Sequence, residues 1–226
     1  MKNVLVVNSG SSSLKLSLFQ FRDEEVVCLF EAYLKGIRSS NVLLDVTSAS
    51  GKEHHVFPKS IGIPEGLRLI IDMVEPRYKD VFSSLAGIGH RFVHGGDQYR
   101  SSIRINQEII LDLQKLIPLA PLHNGACLEG IMACFSCFGS EIPQVAVFDT
   151  AFHSSLPPVA SHYAISKEIA EKYKIKRYGF HGISHAFLWN AYVKDPSTSK
   201  EAKIITLHLG AGCSMTAIRV GVSIDT

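Results

Sequence analysis

No stretch of this sequence is apolar for long enough to cross a membrane. Met1-Lys2-Asn3 leads into only Val4–Val7 before Asn8 interrupts, which is also too short for a secretory leader. Neither sign of charge dominates: 23 Lys and Arg stand against 21 Asp and Glu, and the net charge of +2 offers no basic face for a nucleic acid. Cysteine is sparse, with five at positions 28, 127, 134, 137 and 213. An odd, scattered set argues against a disulfide framework and for a cytoplasmic protein with reduced thiols. What is present in quantity is apolar: 46% of 226 residues, enough to bury a core in one large domain or two modest ones.

The apolar pattern divides the chain. Val4–Val7 reads as a buried strand ended by Asn8-Ser9-Gly10-Ser11-Ser12-Ser13, and Leu14, Leu16 and Leu18 alternate with polar residues as a second. Val26–Leu34 continues the β pattern. Val42–Thr47 and His54–Phe57 flank Ser48-Ala49-Ser50-Gly51 as a hairpin, so a meander of about five strands is expected. Leu67, Ile70, Ile71 and Val74 have helical spacing, with Pro76 expected to end the helix. Asn106 caps a second helix, closed by Pro118, and a third runs from about Gly125 to Phe138. Leu85–Val93 and Gln144–Phe148 are strands that end in loops rich in His, Arg, Gly and Asp. Such loops form the rim of an α/β active site. Beyond Asp149 come Pro157-Pro158, short helices from near Ser166 and over Ile183–Val193, a strand at Lys203–Leu209, a glycine turn, and a strand-like run to Val222. That last unit repeats the first: Asn8-x-Gly10 between strands matches His208-x-Gly210 between strands. Two hairpins 200 residues apart suggest a duplicated domain, although two glycine turns also resemble each other by chance.

Asn8–Ser13 is not the G-x-x-x-x-G-K-[ST] loop, because serines precede the lysine and a strand follows it. Gly10 nevertheless admits an anion close to the backbone, and three hydroxyls supply donors; an ordinary serine-rich hairpin has the same composition. Gly89-His90-Arg91-Phe92-Val93-His94-Gly95-Gly96 is the stronger signal, since a guanidinium forks onto carboxylate or phosphate oxygens. His123, Asp149, His153, His181 and His185 recur beside glycines or strand ends. Several such groups with one arginine point to an anionic substrate. His181 and His185 have the i, i+4 spacing of a zinc helix, but Gly182 replaces the glutamate of H-E-x-x-H. Cys134 and Cys137 lie in an apolar stretch as core residues.

Six segments, taken in order, resemble the acetate kinase family of the sugar kinase, Hsp70 and actin superfold. They are Val7–Lys15, Gly89–Gly96, Ala120–Asn124, Val147–His153, Arg177–His185 and Thr206–Gly212. The resemblance implies an α/β fold of duplicated ribonuclease H-like domains. Residues 1–149 would form the first domain, with the phosphate hairpin and acyl site, and residues 150–226 the start of an incomplete nucleotide-binding second domain. It implies reversible, in-line phosphoryl transfer between ATP and acetate, giving ADP and acetyl phosphate, with Mg²⁺ (or Mn²⁺) as cofactor. Asn8, Ser11, Ser13 and Lys15 would belong to the first phosphate hairpin, with Asn8 near the metal. Arg91 would hold the acceptor carboxylate and the phosphoryl group, and His123 and His181 would donate to its equatorial oxygens. Asp149 would hold the metal and position the acceptor. His208, Gly210 and Gly212 would face the nucleotide phosphates, and Val93, Leu122 and Phe180 would line the acyl pocket. The partners implied are acetate or acetyl phosphate, ATP or ADP and, for the complete enzyme, a second copy; neither nucleic acid nor membrane is implied.

The chain departs from the family at Ala211, where asparagine is usual, and at Gly125, Ala126 and Cys127. The family also continues past Asp225-Thr226 with a second arginine, the adenosine pocket and a metal-linked glutamate. The chain is therefore expected to cover a little over half of such an enzyme and to be inactive alone. Propionate kinase, a non-catalytic phosphate-binding remnant, and a zinc hydrolase built on His90, His94, Asp149 and His181 are the other readings.

Overall fold

The computed structural model describes residues 1–23 and 25–226. They form two compact units: Met1–Phe92 with Ile103–Val147, and Val93–Ser102 with Phe148–Thr226. The segment Val93–Ser102 groups with the second unit.

The first unit opens with a meander. Strands β1 (Lys2–Ser9), β2 (Ser13–Arg22), β3 (Glu25–Lys35), β4 (Val42–Ser48) and β5 (Gly51–Phe57) pair antiparallel in succession. Helix α1 (Ile63–Phe82) then leads to β6 (Leu85–Phe92), which pairs parallel with β1. After a two-residue strand, β7 (Ile103–Arg104), come α2 (Gln107–Lys115), α3 (Pro121–Phe138) and β8 (Gln144–Phe148). The sheet order is β5-β4-β3-β2-β1-β6-β8-β7. Alternation buries Leu14, Leu16 and Leu18 of β2 with Leu5 and Val7 of β1, and α1 adds Leu67, Ile70, Ile71 and Val74 to the same core.

Three expectations are corrected here. Pro76 does not end α1; it lies inside, and the helix kinks at Tyr78 (φ −129°, ψ 25°) and continues. The lost backbone bond is offset by what the last turn buries. The Tyr78 hydroxyl donates to the Leu29 carbonyl at 2.9 Å, and Phe82 stacks on Phe138 and packs against Phe30. Helix α3 begins four residues before Gly125, because Pro121 at its first position needs no hydrogen-bond acceptor. His123 and Asn124 are therefore helical residues, not loop residues. Finally, the run to Val222 is broken: Val220 and Gly221, at φ 51° and 78°, make a tight turn between two strands.

The second unit carries helices α4 (Pro158–Ser161), α5 (Lys167–Tyr173) and α6 (Gly182–Lys194) and a three-stranded antiparallel sheet, β11-β10-β9. Its strands are β9 (Lys203–Leu209), β10 (Cys213–Arg219) and β11 (Val222–Asp225). Its buried residues are largely polar, among them His153, His185, Thr206, Thr216 and Ser223. Among the described residues no helix is long and apolar enough to cross a membrane.

Candidate active site

In the first unit the parallel ladder sets the geometry. Val7 of β1 registers with His90 of β6, so the next residues, Asn8 and Arg91, emerge side by side at the strand ends. Nη1 of Arg91 donates to Oδ1 of Asn8 at 3.3 Å. Alternation turns His90 to the other side, where it is buried and bonded to Oε1 of Gln144 at 2.7 Å; burial pushes its pKa down to about 4. His90 is thus a neutral packing residue, and Arg91 lies on the opposite side of the strand, beside Asn8.

Beyond Asn8, the Gly10 N–H donates to the Ser13 carbonyl at 2.8 Å and closes the hairpin, leaving Ser11 exposed and Ser13 half-buried. Helix α3 is tied to this turn. The Cys127 thiol donates to the Ser9 carbonyl at 3.4 Å, and Glu129 pairs with Arg38 at 2.5 Å. Nη1 of Arg38 also donates to the Ser11 carbonyl at 3.3 Å. Exposed His123 stands in the first turn of α3, where its own N–H and that of Asn124 donate to the Ala120 carbonyl at 3.0 and 2.8 Å. Lys15 has a different partner. It bonds Glu31 at 2.8 Å, which holds that carboxyl below its usual range.

In the second unit Asp149 follows β8 and is 1% exposed; its carbonyl accepts from the Gly182 N–H at 3.0 Å. That approach requires glycine, since a Cβ at 182 would lie 2.2 Å from the Asp149 oxygen. His181 caps α6 in the left-handed region (φ 55°): its carbonyl accepts from the His185 N–H at 3.1 Å, but its own backbone is not helical as the zinc spacing supposed. Its Nδ1 lies 2.9 Å from the Ser214 hydroxyl and its ring stacks on His208 at 4.2 Å. His208 in turn bonds Ser184 at 3.0 Å. The turn after β9 is closed by the Gly210 N–H donating to the Gly212 carbonyl at 3.1 Å. The loop Gly179–His181 is held by His153, whose Nε2 donates to the Phe180 carbonyl at 3.0 Å and whose Nδ1 accepts from the Ser223 hydroxyl at 2.9 Å. The rings of Tyr178 and Phe180 lie 4.5 and 5.5 Å from that of His94. Of the residues expected to line an acyl pocket, Val93 is buried, Phe180 is 39% exposed and Leu122 is 74% exposed.

The model of the Acetokinase family matches residues 3–226. The chain belongs to that family. It is 42% identical over 226 residues to the acetate kinase of Sulfurimonas denitrificans, covering 99% of this chain and 57% of that protein. Among solved structures, a propionate kinase from Francisella tularensis superposes with a TM-score of 0.88 at 36% identity, over 100% of this chain and 56% of that one. The Porphyromonas gingivalis acetate kinase gives 0.87 at 33% identity, over 100% and 57%. The chain thus spans a little over half the length of these relatives.

The sequence pointed to the hairpins, Arg91, Asp149 and the histidines, but not to the groups that orient them. Arg38, Glu129 and Ser214 lay outside the six segments, and Ser184 and Thr206 lay inside two of them without an assigned role; the spacing of Ser214 against His208 across the turn was the signal available, since the two register opposite each other. Among the described residues no group of three or more His, Cys, Asp and Glu side chains is placed to hold a metal ion, which leaves the zinc hydrolase without a ligand set.

Proposed function

We propose that this chain carries the acyl and phosphoryl machinery of an acetate kinase, which moves a phosphoryl group reversibly between ATP and acetate. The observation that carries the reading is Arg91, held by Asn8 at the strand end beside the Gly10–Ser13 hairpin. A carboxylate is already a competent nucleophile. The barrier therefore lies in bringing two anions together and in the charge on the equatorial oxygens, not in removing a proton. Arg91 supplies a planar fork for both groups, and Asn8 sets its plane. His123 and His181 donate to the phosphoryl oxygens. The Gly10 and Gly210 turns, with Ser11, Ser13, His208 and Gly212, hold phosphates through N–H and O–H groups. Lys15 joins them only by leaving Glu31. The two hairpins make duplicated ribonuclease H-like domains the fold that goes with this reading. Their turns differ by one residue, since Ser9 registers with Leu14 and Leu209 with Cys213.

A hard divalent cation (Mg²⁺ or Mn²⁺) fits Asp149, a buried carboxylate at a strand end, with phosphate oxygens completing its shell. Asn8 fits less well, because its Oδ1 already accepts from a guanidinium. When bound, the ion neutralises phosphate charge. The propionate kinase neighbour favours a second reading, in which Val93, Leu122 and Phe180 admit the longer acyl chain. A homodimer in the cytoplasm is the setting that accompanies either reading.

The test joins this chain to the part of the Sulfurimonas denitrificans enzyme that it does not match and assays acetyl phosphate as hydroxamate. Turnover that falls at least about a hundredfold in Arg91→Ala is expected. A folded, ATP-binding hybrid that forms no acyl phosphate from acetate or propionate refutes the reading.

A further inference from the structure

His181 sits at the end of a hydrogen-bonded relay confined to the second unit. Oγ1 of Thr206, on β9, lies 2.7 Å from Nδ1 of His185, on α6. Nε2 of His185 lies 2.8 Å from Oγ of Ser214, on β10, and that oxygen is 2.9 Å from Nδ1 of His181. His185 is fully buried, and burial, with the neighbouring histidines, pushes its pKa down to about 4, so it is neutral and carries one ring proton. The Ser214 hydroxyl also has one proton, and both of its recorded partners are imidazole nitrogens.

These constraints couple the two tautomers. If His185 carries its proton on Nδ1, its Nε2 must accept from Ser214. Ser214 then accepts from His181, whose proton is on Nδ1. If His185 carries it on Nε2, every bond reverses and His181 is protonated on Nε2. The Thr206 hydroxyl fits either arrangement. In the second it donates to Nδ1 of His185; in the first it accepts from that nitrogen across the same 2.7 Å and donates to the Thr216 carbonyl at 3.5 Å. In both, the two rings carry their protons on like-named nitrogens.

We propose that His185 and Ser214 are positioning residues that lock the tautomer of His181 to that of His185. The Cε1–Nε2 edge of that ring lies against Gly212, where a Cβ would sit 3.5 and 3.6 Å from those atoms. In the second arrangement the N–H stands at the glycine turn; in the first a bare nitrogen does. Stacking on His208 at 4.2 Å and 19° also favours an uncharged ring over a pair of adjacent cations. The value of this lock for phosphoryl transfer rests on the kinase reading above; the lock itself does not.

The test is long-range ¹H–¹⁵N correlation on the ¹⁵N-histidine-labelled 226-residue chain at about pH 8, above the ordinary imidazole range. His181 is assigned by loss of its signals in His181→Gln. The expected spectrum shows His181 and His185 protonated on the same nitrogen, both on Nε2 or both on Nδ1, and bare on the other. Ser214→Ala should release that match and turn His181 into a mixture of tautomers, and Ser214→Thr, which keeps the hydroxyl, should restore it. A parent chain with opposite tautomers in the two rings overturns the proposal whatever the variants do. So does a folded Ser214→Ala chain with an unchanged His181 tautomer. Because no turnover is measured, failure of the kinase reading leaves this result standing, and the reverse holds as well.

Discussion

Gly130 lies in the middle of α3, where alanine would ordinarily be the better residue by about 1 kcal/mol. The structure predicts the opposite sign. A Cβ at 130 would lie 2.0 Å from Oγ and 2.9 Å from Cβ of Ser9, with Val7 just beyond at 3.9 Å. Rotating the Ser9 side chain removes the first contact but not the second, so helix and strand must separate. Overpacking costs about 1–3 kcal/mol, and two contacts under 3 Å place this site in the upper part of that range, about 2–3 kcal/mol, which leaves a net loss of about 1–2 kcal/mol after the gain in helix propensity. Ser9 directly follows Asn8, so the strain falls on the strand end that orients Arg91. Hydrogen exchange read by mass spectrometry on peptides covering β1 and α3 is the suitable assay, because it reports that contact alone. Protection there should fall about tenfold for each 1.4 kcal/mol lost. Replacing Ser9 by alanine should itself be neutral or stabilising, since its buried hydroxyl has no hydrogen-bond partner among the described residues, and should soften the effect of Gly130→Ala. Unchanged or increased protection in Gly130→Ala would mean that α3 does not approach β1 as described.

In the completed enzyme, Val93→Ala should lower KM for propionate and butyrate relative to acetate, because one methylene in such a pocket is worth about 1–3 kcal/mol; an unchanged ratio removes Val93 from the acyl site. Stability should fall on acidification. His90 and His185 are held near pKa 4 when folded, against 6.5 for an ordinary imidazole, so the unfolded chain binds more protons between those values. Urea midpoints should drop progressively as pH is lowered from about 6.5 towards 4, and a midpoint flat across that window would contradict their neutral burial. The His90→Gln chain should lose part of that dependence, measured in the same titration.

How much was legible in the sequence depended on whether a signal was local. The meander was read strand by strand because Leu14, Leu16 and Leu18 alternate and Gly51 marks a turn, and both rules act within a few residues. Pro76 misled because its local preference was outweighed by distant partners: Leu29, Phe30 and Phe138 hold the last turn of α1 in place. Val220-Gly221 was passed over because neither residue is the Asn-Gly pair that announces a tight hairpin. Arg91 and Asp149 stood out by type beside glycines. Ser214, Thr206 and Arg38 did not, because a hydroxyl or an exposed arginine acquires a role only through what lies opposite it in space.

The second unit places its sheet in an unusual balance. Thr206, Thr216 and Ser223 point inward with His153 and His185, while Ile205, Leu207, Leu209 and Met215 remain 72%, 50%, 75% and 62% exposed. Register puts Leu207 beside Met215 and Leu209 beside Cys213, so those side chains form one continuous apolar face. Order on the inward face therefore comes from hydrogen bonds, which are directional, more than from burial of hydrocarbon, which is not. A hydrogen-bonded interior suits a site that must hold an imidazole in one tautomer, because a missing partner strands a buried polar atom at a cost of about 1–3 kcal/mol. It also leaves the unit with little hydrophobic stabilisation of its own. Covering the outer face, by whatever packs there in relatives nearly twice as long, would supply apolar burial without touching the relay that aims His181.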